Sequence, residues 1–150
     1  MTENNVEIWL RMYEEQVRHG RHHETLRSQS THLIVAISAA LLAFLSSATA
    51  SADRQYVLGV FVFVLNVYGL IMSLKHYERS RLHVTVAGKY REVISKGAPI
   101  GDAKLDDSRR AGHESHSTLM PWVSSVRAYV MWSGLHLVLA LLGAFFCFAD

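Results

Sequence analysis

Val6, Trp9, Leu10, Tyr13 and Val17 recur at spacings of three and four near the start of the chain, with Glu7, Arg11, Glu14 and Glu15 between them. That alternation belongs to an amphipathic helix. After Val17 the pattern stops. From Arg18 to His32 the only larger aliphatic side chain is Leu26, and Gly20 is the only weak helix breaker. With no proline to interrupt it, the spacing predicts one helix over 5–32 that is polar all round in its second half. Polarity then falls away. Leu33 to Ala52 is twenty residues without Asp, Glu, Lys or Arg, Gln55 to Leu74 is twenty more, and Ala128 to Ala149 is twenty-two, interrupted only by the ionisable His136. Twenty helical residues extend about 30 Å, the thickness of a bilayer's hydrocarbon core. The pattern therefore predicts an all-α membrane protein, a single helical domain over 1–150 with transmembrane helices at 33–52, 55–74 and 128–149 and helical cytoplasmic extensions. The second of these helices runs on through 75–96, with Tyr77, Val84, Ala87 and Ile94 on one face, until Gly97 and Pro99 stop it. Residues 97–127 read as a loop with a short helix starting near Asp107-Ser108 and ending before Pro121.

Charge changes the picture by fixing an orientation. Ten of the fifteen Lys and Arg lie between Lys75 and Arg127 and four precede the first apolar run, whereas the loop between the first two runs holds only Arg54 and the C-terminus none. The positive-inside rule then places the N-terminus and the 75–127 segment in the cytoplasm and the C-terminus in the periplasm. A secretory leader is the alternative for the first run, since Ala48-Thr49-Ala50-Ser51-Ala52 resembles a cleavage site. Its n-region, however, would be 32 residues long with five acidic side chains, against the short basic form such leaders take, so an uncleaved helix is expected. A net charge of +2 in 150 residues is too small for a dedicated nucleic-acid binder, and no nucleic-acid partner is expected. Apolar residues at 50% exclude a disordered chain, and the lone Cys147 excludes an intramolecular disulfide framework.

Side-chain size and polarity within the apolar runs point to packing. Ala36, Ala40, Ala43, Ser47 and Ala50 form a small-residue strip at alternating spacings of four and three. Helices approach closely along such strips, so this one is expected to meet protein, inside one chain or between subunits. Asn66 and His136 are polar groups in apolar surroundings and are expected to be buried, His136 as a neutral imidazole bonded across helices. Seven of the nine histidines cluster: His19, His22 and His23 beside Glu24; His76 and His83 near Glu78; His113 and His116 around Glu114. His19 with His23, and His76 with His83, share helix faces that would suit chelation, but the more economical reading is polar contact between helices and no metal. His113-Glu114-Ser115-His116 spaces its histidines three apart rather than the four of a zincin motif. The Arg-x(4 to 6)-His signature of HEPN ribonucleases is met by Arg18 with His23, Arg27 with His32, and Arg109 or Arg110 with His116. Eleven arginines and clustered histidines produce about two such hits by chance, and no phosphate loop or nucleophile elbow accompanies them, so no enzymatic activity and no cofactor are expected.

Met12-Tyr13-Glu14-Glu15-Gln16 with Arg21-His22-His23-Glu24, the Ala/Ser-rich first apolar run, Lys75-His76-Tyr77-Glu78-Arg79 with Leu82-His83 and Tyr90-Arg91, and Trp132 with Leu135-His136 together resemble the RipA-like small octameric membrane proteins of bacteria. The likeness spans the chain. Less closely, it is similar to the SLATT class of membrane effectors, from whose two-helix layout the third apolar run departs. The resemblance implies a ring of subunits, an octamer, in the bacterial inner membrane, with a relative acting as a pore beside an RNA-targeting CRISPR nuclease. On that model Arg18, His22, His23, Glu24, His76, Glu78, Arg79 and His83 supply subunit contacts or the wall of a polar vestibule, and the ring permeabilises or depolarises the membrane under stress or in antiviral defence. A scaffold or sensor that docks a cytoplasmic protein through residues 97–120 is the alternative, and a HEPN-like ribonuclease using His23 or His32 is the third reading.

Overall fold

A computed structural model describes residues 3–47, 51–97, 114 and 127–148. Three long helices account for nearly all of them: α1 (Glu3–Leu45), α2 (Ala52–Gly97) and α3 (Ala128–Phe148). The described residues contain no strand. The chain divides into two compact units, one of Met1–His23 with Glu78–Arg127, the other of Glu24–Tyr77 with Ala128–Asp150. Of the short helix expected before Pro121, Glu114 alone is among the described residues, where it is helical and exposed.

The polar stretch after Val17 is helical without a break, and Gly20 sits inside α1 rather than ending it. The end of α1 differs from the expectation. The helix stops at Leu45, well short of residue 52. The last carbonyls find serine partners: the Ser46 Oγ donates to the Ala43 carbonyl at 3.0 Å, and the Ser47 Oγ to the Phe44 carbonyl at 2.6 Å. The Ser47 amide also bonds back to Phe44 at 3.0 Å, tightening the last turn. Carbonyls left over at a helix end are thus satisfied by side chains within the turn. The uncharged helical stretch is consequently Ser28 to Leu45, eighteen residues or about 27 Å.

α2 begins with Asp53 in its first turn, a favourable charge at the positive end of a helix. It ends at Gly97 with Lys96 in the last turn. Lys96 donates to Glu92 Oε1 at 2.9 Å and Lys89 reaches Glu92 Oε2 at 3.5 Å. The hydrogen bond and charge of Lys96, aided by Lys89, hold the Glu92 carboxyl below the usual glutamate range. Because the native value is the lower one, this support is complete above about pH 4.3 and is lost as pH falls through the depressed native value. The last turn of α2 is therefore expected to fray as pH falls below the ordinary glutamate range, read as faster amide exchange at Ile94 to Lys96 relative to the middle of α2.

Every buried side chain or glycine among the described residues falls on one heptad register. On α1 these are Gly20, Arg27, Thr31, Ile34, Ser38 and Leu45; on α2, Gly59, Val62, Asn66, Gly69, Ser73, Ser80 and Ala87; on α3, His136, Ala140 and Gly143. Spacings of three, four and seven are those of a coiled-coil seam. Its contents are unusual for one, since only Ile34, Leu45 and Val62 are larger aliphatics. Large apolar side chains are instead exposed, among them Val57, Phe61, Ile71, Met131, Leu141 and Phe145. Three helices are long and apolar enough to cross a bilayer.

Candidate functional site

In the unit containing the chain's first residues, α1 and α2 run antiparallel. Trp9 meets Tyr90 with ring centroids 5.6 Å apart, and seven residues along α1 His83 Nδ1 donates to Gln16 Oε1 at 2.7 Å. Gly20 occupies the next buried position. A Cβ there would lie 3.6 Å from Val84 Cγ2 and 3.7 Å from His83 Cβ, ordinary van der Waals distances. Since the site has room and a mid-helix glycine is conformationally costly, Gly20→Ala is expected to stabilise the fold by about 0.5–1 kcal/mol, measured by denaturant titration in detergent.

Around Gly20 the imidazoles gather. His19 and His23 lie one turn apart on α1, and both stack on His83, at centroid distances of 5.2 and 5.5 Å. His22 tilts against His23 at 6.0 Å, and Glu15 lies 3.6 Å from His19. Stacking turns ring faces, not nitrogens, toward one another. Among the described residues no group of three or more His, Cys, Asp or Glu is placed to hold a metal ion. Of the residues expected to line a vestibule or a subunit contact, His23 and His83 are brought together and Glu24 and His76 are half-buried, whereas Arg18, His22, Glu78 and Arg79 are exposed. Arg18 borders an open cleft of about 360 Å³ with Tyr13, Glu14, Val17 and Arg21. Gln16, the amide that fixes the His83 ring, was not foreseen; its place four residues before Gly20 on the same face was the available signal.

The other unit holds a buried polar circuit. Thr31 Oγ1 on α1 lies 3.2 Å from His136 Nε2 on α3, and His136 Nδ1 lies 3.2 Å from Asn66 Oδ1 on α2. Asn66 Nδ2 then donates to Ser38 Oγ at 2.7 Å, returning to α1, and to the Val62 carbonyl at 2.9 Å. A carbonyl only accepts, so Val62 fixes the amide with its nitrogen toward Ser38 and its oxygen toward His136. His136 Nδ1 must then carry a proton, and in the neutral imidazole expected in apolar surroundings this leaves Nε2 to accept from the Thr31 hydroxyl. This is one neutral tautomer with both ring nitrogens used. Burial of four polar side chains between apolar helices is tolerable only with such pairing. Asn66 and His136 thus meet directly, and their partners Thr31 and Ser38 are the ones sequence reasoning missed.

Toward the other end of this seam Arg27 is only 4% exposed. Its Nη2 donates to Glu24 Oε2, and its guanidinium carbon sits 5.8 Å from the Tyr77 ring centre. Tyr77 in turn stacks on Tyr129 at 4.3 Å. His32, five residues on, packs edge-on against Trp132 at 5.7 Å. Five helical residues separate side chains by about 140°, which is why Arg27 and His32 diverge, and Arg18 and His23 likewise. The His116 pairs lie outside the described residues.

The alanine strip lies elsewhere. Ala36, Ala40 and Ala43 are exposed on the side of α1 opposite Ile34 and Ser38, and Ser47 is half-buried. Packing among the described residues leaves those three alanines exposed, and Ala50 lies outside the described residues. No family model matches the chain, and no curated protein or solved structure matches it.

Proposed function

We propose that this chain is the subunit of a non-enzymatic, ring-forming, multi-pass membrane protein, held in a bacterial inner membrane with its N-terminus in the cytoplasm and its C-terminus in the periplasm, and that the ring makes the membrane conditionally permeable. The observation that carries the ring is the outward alanine face of α1. Thr31, Ser38, Asn66 and His136 close their hydrogen bonds inside one chain, so packing within the subunit leaves Ala36, Ala40 and Ala43 uncovered. Lipid gains little from a methyl-lined surface, whereas a second helix gains close van der Waals contact there. Insertion is supported by the inverted burial pattern, with polar groups inside and large apolar groups outside, and by helices of spanning length. The cytoplasmic placement rests on the concentration of Lys and Arg in 75–127. A non-enzymatic role fits the divergence of the arginine and histidine pairs, and the permeabilising role in defence follows the family resemblance.

A mass measurement on the detergent-extracted particle tests the ring. The wild type is expected to run as a closed multimer, and Ala40→Phe as a monomer whose own unfolding midpoint is unchanged, because residue 40 lies off the subunit's internal seam. A wild-type monomer overturns the assembly. Dye release from liposomes tests the pore separately; intact vesicles combined with a stoichiometric cytoplasmic partner in a pull-down would replace it with the scaffold reading.

A further inference from the structure

The polar seam contains groups that the Thr31–His136–Asn66–Ser38 circuit does not use. Arg27 Nε and Nη1, together three N–H donors, are buried without a hydrogen-bond partner, and so are the hydroxyls of Ser73 on α2 and Ser133 on α3. Serine in a helix ordinarily returns its hydroxyl to the carbonyl one turn back, and in apolar surroundings that bond is strongly favoured. Both serines forgo it. Their positions bring them to one level of the bundle. Ser73 lies one turn from Gly69, where a Cβ would touch His136 Cε1 at 2.5 Å, and one turn from Tyr77. Ser133 lies three residues from His136 and four from Tyr129. Both serines are therefore bracketed between the His136 layer and the stacked Tyr77 and Tyr129 rings. Arg27 is one turn from Thr31, the other neighbour of His136, and its guanidinium faces Tyr77.

We propose that Arg27, Ser73 and Ser133 form a binding site for a small inorganic monoanion of chloride size. The chemistry asks for an acceptor: a permanently charged guanidinium offers three unused N–H groups, and two hydroxyls are free to turn their hydrogens the same way. Glu24 occupies only Nη2 and has its side chain 43% exposed, so solvent shares its charge and the buried edge of the guanidinium remains unanswered. Burial sets the size. Arg27 at 4% and Ser73 at 2% exposure, with Ser133 half-buried, favour a small ion over a phospholipid headgroup or a nucleotide. The site belongs to the single subunit and does not depend on ring formation.

Thermal unfolding of the full chain in detergent, at constant ionic strength, is the test. Replacing sodium gluconate by sodium chloride, bromide or nitrate is expected to raise the wild-type midpoint by several degrees with a saturating dose curve, as required when a ligand binds only the folded state. Phosphate is expected to have no such effect. The double variant Ser73→Ala/Ser133→Ala, which removes two hydroxyls while leaving Arg27 and the His136 circuit, should fold and lose the anion dependence. Arg27→Lys should weaken the response at least tenfold in the half-saturating concentration. A wild-type midpoint indifferent to anion identity, meaning that the groups hold only water, overturns the proposal; so does an anion response that survives in the double serine variant. Either failure would leave the mass of the extracted particle, and with it the ring, untouched.

Discussion

Replacing Gly69 by alanine is expected to destabilise the fold by about 3 kcal/mol, combining an overpacking penalty with the loss of buried hydrogen bonds. The added methyl would sit 2.5 Å from His136 Cε1, 2.6 Å from its Nδ1 and 3.0 Å from Ile34 Cδ1. The end of the Ile34 side chain can give way, but the imidazole does not yield cheaply. The imidazole is held at both nitrogens, so moving it breaks the bonds to Thr31 and Asn66 and leaves the Asn66 oxygen buried and unpaired. A double-mutant cycle isolates the cause. In a His136→Ala background the space is free, and Gly69→Ala should then cost less than about 1 kcal/mol, a coupling of the size found for residues in direct contact. Equal costs in both backgrounds, measured by equilibrium denaturation in detergent, would mean that α2 and α3 do not approach each other at Gly69. The same cycle tests whether the polar circuit acts as a unit, because the single change His136→Ala itself orphans Thr31 and Asn66.

The seam at which Gly69 sits was only partly legible. Helix existence and type followed directly from the sequence: nothing between Val17 and Leu33 breaks a helix, and Gly97 follows a Lys-bearing last turn. The end of α1 did not, because hydropathy measures transfer from water and Ser46 and Ser47 carry too little polarity to register in a twenty-residue apolar run. Their effect is geometric, through hydroxyls that take the final carbonyls. The packed face was hidden for a related reason. In a soluble helix the buried stripe is the apolar one, but in an apolar helix both faces are apolar and periodicity of hydrophobicity carries no direction. The informative residues are then the small and polar ones, and α1 offers two such series two residues apart. Ala36, Ala40 and Ala43 form one; Thr31 and Ser38, on the face shared with Ile34 and Leu45, form the other, and two residues along a helix is a rotation of about 200°. Choosing between them required partners, and the partner residues on α2 and α3 are not specified by anything local to α1. Asn66 and His136 could be singled out because an amide and an imidazole are expensive in apolar surroundings. Thr31 and Ser38 could not, since short hydroxyl side chains within a helix satisfy themselves on their own backbone and need no partner. Arg27 was hidden by its surroundings in sequence, lying among residues that are mostly polar, where a further charge suggests a solvated face.

Gly143→Ala should be at least as disruptive as Gly69→Ala, and by a different route, because what it meets is main chain. Its Cβ would lie 2.7 Å from the Phe63 nitrogen and 2.9 Å from the Gly59 oxygen, and the reciprocal Cβ on Gly59 would lie 2.9 Å from the Gly143 oxygen. A side chain can change rotamer, but two backbones can relieve such a clash only by separating the helices. Separation is expected to cost about 3 kcal/mol or more, since it gives up the close approach from which apolar helices gain their packing energy. Cys147 reports the movement. Its thiol donates to the Gly143 carbonyl at 3.3 Å, and it lines an apolar cleft of about 260 Å³ with Tyr56, Val60, Phe63, Ala144 and Phe148. Parting α2 from α3 should therefore speed labelling of Cys147 by a maleimide. Gly134 supplies the comparison within the same helix: a Cβ there meets nothing within 4 Å. Gly134→Ala should leave the thiol as slow as in the wild type and raise stability slightly through helix propensity, by up to about 1 kcal/mol. If the two variants unfold at the same denaturant concentration and label at the same rate, α2 and α3 do not touch through Gly59 and Gly143, and the heptad seam on α3 ends at Ala140.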